Sequence, residues 1–169
     1  MKIIENAWKV PLTNGGIFRI VVNDSSIEFY RIFSGKYIAE ELKLKKDMEY
    51  IDSLIVPGAT DPVEPEDLFN RIKNMVQKIT SEYYEKNQAK TDEISKNKTA
   101  QQYEKINLTD IKNISLSDLT DDKFPELIIN DERFLMPFEN FTHPSNDDKS
   151  RYKEYSKIIL DIKNSAGIK

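Results

Sequence analysis

The dipeptide Asn14-Gly15 separates two short runs rich in β-branched and aromatic residues, 8–12 and 17–22. That arrangement is a strong local signal for a β-hairpin. Residues 23–26 (Asn-Asp-Ser-Ser) make a second polar turn, 27–33 a third apolar run, and Ser34-Gly35 a third turn. Runs and turns at this spacing read as an antiparallel meander. A further strand is expected at 36–44, where Ile38, Leu42 and Leu44 are interleaved with polar residues, and a last one at 48–56, stopped by Pro57-Gly58. The first third of the chain is therefore expected to be an antiparallel β-meander of four or five strands.

An amphipathic helix should pack on it. Pro65 suits a first helical turn, and Glu64, Glu66 and Asp67 complement the positive end of the helix dipole. Leu68, Phe69, Ile72, Met75, Val76, Ile79 and Tyr83 then recur every three or four residues, which makes one apolar stripe. The stripe fades from Lys86 to Gln102, where Ile94 is the one large aliphatic residue. Residues 86–102 read as either a polar linker or a solvated helix extension. Residues 103–169 are expected to hold an acidic segment with a short hairpin and then a C-terminal helix over 147–164. Tyr152, Tyr155, Ile158, Ile159 and Ile162 share one face of that helix, Asn146 or Asp147 can cap it, and Gly167 lies just past its end. The fold class is α+β, with 103–169 packed on 1–85 as a single domain.

Composition excludes several chemistries. There is no Cys, so disulfides, thiolate metal sites and thiol nucleophiles are absent. The sole His, His143, leaves a zinc site short of ligands and a Ser-His pair without a Gly-x-Ser-x-Gly turn. Five scattered glycines form no phosphate-cradling loop. The N-terminus meets Glu5 and Asn6 before an apolar run of signal-peptide length develops, and no membrane-spanning run follows, so a cytoplasmic location is expected. Ile, Lys and Asn supply 54 of 169 residues. Their A/U-rich codons explain that bias, so the Lys surplus says little about nucleic acid.

Two carboxylate motifs remain. Asp24 followed by Glu41-Leu42-Lys43 resembles the acid and Glu-x-Lys arrangement of restriction-type nucleases, which implies a magnesium-dependent enzyme. Residues 118–129 carry Asp118, Thr120, Asp122 and Glu126 at positions one, three, five and nine of a loop that leads into a short apolar strand. This is similar to the calcium loop of FG-GAP-type repeats. The resemblance implies a calcium ion held by those four side chains and the Phe124 carbonyl. Lys123 stands where that family has Gly, and Thr120 where it has a carboxylate. No other cofactor is expected.

Charge is distributed unevenly. The chain carries a net charge of −4. Residues 108–148 hold a net −7 of formal charge, and 149–169 a net +4. Asp118, Asp121, Asp122, Asp131, Glu132 and Glu139 are the expected partner-binding residues, interleaved with Phe124, Phe134, Met136, Phe138 and Phe141. Opposite potentials accelerate encounter, so the expected partner is a basic protein, with neither membrane nor direct nucleic-acid binding. The functional expectation is a small acidic non-enzymatic binding protein that inhibits or escorts another macromolecule, as immunity proteins and phage-borne inhibitors do. The alternatives are a carboxylate-based metal-dependent enzyme and an oligomerising structural module.

Overall fold

The structure, a computed structural model, describes residues 1–55, 65–121, 123–138 and 143–169, with side chains at all of these except 54–55 and 65–68. Three strands come first, β1 (Lys2–Lys9), β2 (Gly16–Val22) and β3 (Ser26–Phe33). Helices α1 (Gly35–Glu40), α2 (Lys45–Ile55) and α3 (Pro65–Asn97) follow. Then come β4 (Tyr103–Asn107), a short 3₁₀ turn at Leu108–Asp110, β5 (Ile114–Leu116), β6 (Glu126–Ile129), β7 (Glu132–Leu135) and α4 (Asn146–Ala166). The seven strands form one antiparallel sheet in the order β4-β3-β2-β1-β7-β6-β5. The fold is α+β.

The β1–β2 hairpin turns where Asn14-Gly15 indicates. The Asn14 and Gly15 amides both donate to the Pro11 carbonyl, and Gly16 adopts a left-handed φ of 93° that glycine accepts without strain. The strand expected at 8–12 instead runs Lys2–Lys9, and residues 10–12 belong to the turn.

Where strands are expected at 36–44 and 48–56, residues 35–40 and 45–55 are helical with a turn between them, and Val56 and the Pro57-Gly58 stop lie outside the described residues. Ser34 caps α1, its hydroxyl accepting from the Tyr37 amide, and a cap of that kind commits the next turn to a helix. In α2, Met48 and Ile51 stand three residues apart and are both buried, which is a helical spacing. Leu42 and Leu44, buried in the intervening turn, anchor the connection. The first third of the chain thus supplies three strands, and β4, the neighbour of β3, arrives only after α3.

Helix α3 runs 33 residues. Ile72, Met75, Val76, Ile79 and Tyr83 are buried as their spacing demands, whereas Phe69 is exposed and the Leu68 side chain lies outside the described residues. Residues 86–97 complete this helix, and Asn87 and Ile94 remain buried on the same face. Trp8, Ile17, Val21, Tyr30 and Ile32 pack with α1, α2 and α3 in one cluster. On the other face Ile4, Ile20, Ile27, Phe29 and Phe134 pack with Tyr155, Ile158, Ile159 and Ile162 of α4. The sheet therefore lies between two helical layers.

The ends of α4 have clear chemical causes. Ser145, one residue before the expected caps, forms a capping box with Asp148, and Gly167 closes the helix in the left-handed conformation. Among the described residues no helix is long and apolar enough to cross a membrane.

Candidate functional site

Strands β5, β6 and β7 make a small antiparallel unit at one edge of the sheet. Asn130 and Asp131, with φ of 46° and 71°, form the tight turn between β6 and β7. The Asn130 side chain accepts from the Lys112 amide at 2.7 Å and donates to the Asp110 carbonyl at 3.1 Å. Asp131 accepts from the Asn113 side chain at 3.2 Å. Asp110, Asp131 and Glu132 are thereby gathered at one end of the unit. Asp118 and Asp121 lie in the β5–β6 loop at the other end, one strand length away, or about 13 Å for four residues.

The acids differ in what they contact. Glu132 pairs with Lys9 at 2.7 Å. Glu126 accepts two bonds from the Arg133 guanidinium, and that cation holds its carboxyl below the usual range. Asp118 and Asp121 are exposed and have no ion-pair partner among the described residues. Asp122 and Glu139 lie outside the described residues.

Of the calcium-type ligands, Asp118 is exposed, Thr120 is half-buried and Glu126 is engaged with Arg133, while the fourth, Asp122, is not described. Among the described residues no three carboxylate or imidazole side chains converge. The nuclease-type residues are apart as well. Asp24 lies in the turn before β3, whereas Glu41 and Lys43 follow α1, which begins after the other end of that strand. His143 is exposed.

Sequence reasoning missed a buried polar cluster on β1. The β1–β2 register shifts between Ile4 and Ala7, and Asn6 takes a φ of 53°. This bulge turns Glu5 and Asn6 together toward α3. Asn6 donates to Thr80 at 3.1 Å and accepts from the Trp8 indole at 2.8 Å. Glu5 pairs with Arg19 of β2 through a shortest contact of 2.7 Å and accepts the Tyr83 hydroxyl of α3. Arg19 also donates to Gln88 at 3.1 Å and Thr91 at 3.2 Å. Its hydrogen bond to Glu5 raises the guanidinium pKa. Burial, with Glu5 beside it, pushes the Tyr83 hydroxyl well above its ordinary range. The available signal was Arg19, a charge inside the apolar run 17–22.

A cleft adjoins this cluster because the sheet opens there. β1 pairs with β7 only at Trp8 and Lys9 among the described residues, and beyond them Glu5 and Asn6 line a gap with 136–138. Tyr155 of α4 enters the gap, its hydroxyl accepting from the Glu5 amide at 3.1 Å, and burial raises its pKa. Glu5, Asn6, Met136, Phe138, Arg151 and Tyr155 line a space of about 30 Å³. That holds about one or two water molecules, not a substrate.

These tyrosines set an alkaline limit. A pKa raised on folding contributes stability that is complete below the unfolded value near 10.0 and is lost as pH rises beyond it. Tyr103, which burial and Glu28 push up to about 12, adds to the same effect. Spectrophotometric titration should leave Tyr83 and Tyr155 silent until the chain unfolds. Titration of all eight tyrosines near pH 10 in the folded protein would contradict their burial.

Comparison of the chain with family models, with curated proteins and with solved structures finds no match.

Proposed function

We propose that the protein is a small acidic binding protein that occludes or escorts a basic macromolecular partner through the β5–β7 end of its sheet. Such a role suits an immunity protein, or a phage or mobile-element inhibitor of a basic nucleic-acid enzyme. The observation that carries this reading is the exposure of Asp118 and Asp121 without ion-pair partners among the described residues, in a segment of net charge −7. Unpaired exposed acids contribute little to stability and remain free to meet a cation. The Glu5–Arg19 pair is internally neutralised and its cleft has about 30 Å³ of space, which favours a binding role over catalysis.

The test begins with capture of the partner from a lysate of the source cells on the immobilised chain, with elution by salt. Charges more than about 8 Å apart are screened at physiological ionic strength, so a partner held by this surface should elute early. Reversing Asp118 and Asp121 to Lys should slow association with the captured partner about tenfold and leave the fold intact. Reversing the exposed Lys153 and Lys157 of α4 should change the rate far less. An unchanged rate in the acid reversals, or a lost complex in the Lys reversals, overturns the proposal.

A further inference from the structure

A second charged surface lies where the α1–α2 connection meets α3. Ala39, Lys43, Lys45, Lys46, Asp47 and Arg71 line an open concavity of about 440 Å³. Four of these six described side chains are cationic and one is acidic, a balance of +3 among the described lining residues in a chain of net charge −4.

The position of the cations is electrostatically costly. Lys45 and Lys46 are the first two residues of α2, where the positive end of the helix dipole disfavours cations. Leu44, immediately before them, has no side-chain oxygen to cap the first amides. Arg71 approaches from α3, and its contact with Asp47 is long, at 4.0 Å. Glu40, Glu41 and Glu49 are exposed nearby but do not line the space.

The connection is also held in place. Leu42 and Leu44 are buried on either side of Lys43, and Lys78 of α3 donates to the Leu42 carbonyl at 2.7 Å. Among the described residues Lys43, Lys45 and Lys46 have no ion-pair partner and Arg71 has only its long contact with Asp47, so these cations around the concavity form a recognition surface for an anion. An anion there would remove the repulsion and gain charge-assisted hydrogen bonds. Among the described lining residues none is an aromatic on which a base could stack.

We infer that this concavity binds a compact phosphate-bearing polyanion. Lys43, Lys45, Lys46 and Arg71 are its ligands, and Asp47 weakens the site.

Calorimetric titration of the full chain with inorganic pyrophosphate, at fixed ionic strength in chloride, tests the assignment. The expected result is saturable one-to-one binding. The Lys46→Gln/Arg71→Gln variant should bind about tenfold or more weakly, as expected for losing two charge-assisted contacts. Asp47→Asn should bind several-fold more tightly, whereas Lys153→Gln/Lys157→Gln on α4 should match the parent. Circular dichroism establishes that each variant is folded. Absence of saturable binding, or equal affinity in the folded double variant, overturns the inference. So does a short single-stranded DNA that binds with pyrophosphate unable to displace it, because that result assigns the cations to a polymer backbone.

Discussion

Replacing Arg19 with Met should destabilise the protein by about 3 kcal/mol, seen as a lower urea midpoint with an unchanged slope. The substitution leaves the Glu5 carboxylate in its place with Tyr83 as a remaining partner and no cation. Removing one member of a buried pair costs about 3 to 5 kcal/mol, and the lower end applies because the Glu5 side chain keeps 21% exposure. Replacing both members should recover a large part of the loss. Glu5→Met/Arg19→Met removes the charge instead of stranding it, although the Tyr83 hydroxyl then lacks its acceptor. A neutral Arg19→Met would mean that water reaches Glu5 freely and that the cluster does not hold β1, β2 and α3 together.

Ile94→Ala should cost about 2 to 5 kcal/mol, the same range as Ile79→Ala about four helical turns earlier in α3. Both side chains are at most 1% exposed, so each deletion loses transfer energy and leaves a cavity. The comparison tests the far end of α3 against its centre. A cost below about 0.5 kcal/mol at Ile94 would be that of a surface position, and would detach the end of α3 from the core.

What could be read from the sequence follows the range of the interactions involved. The β1–β2 turn, the buried stripe of α3 and the apolar face and Gly167 cap of α4 depend on residues a few positions apart, so their pattern is local. The segment 36–56 was misread because Ile38, Leu42 and Leu44 are too few to establish a period. The better local evidence was the Ser34 cap and the three-residue spacing of Met48 and Ile51. For the Glu5–Arg19–Tyr83 cluster the one local sign is Arg19 within an apolar run, and its partners cannot be read locally because the members come from three elements. The acidic segment was legible as composition but not as geometry. The short strands β5 and β6 place Asp118 and Asp131 at opposite ends of one unit.

The narrow junction between β1 and β7 bears on how the chain assembles. Trp8 pairs with Leu135 and Lys9 with Phe134, and the Val10 amide donates to the Arg133 carbonyl, yet these partners are more than 120 positions apart. The hairpins on either side close short loops, whereas this junction closes a loop of about three quarters of the chain and gains few bonds for the entropy lost. The β1–β3 hairpins and the β5–β7 unit can each form before they meet, which leaves two complementary strand edges open during folding. At high concentration, the β7 edge of one molecule can close on the β1 edge of another. Refolding at increasing concentration therefore favours exchanged dimers joined by the same two residue pairs that close the monomer.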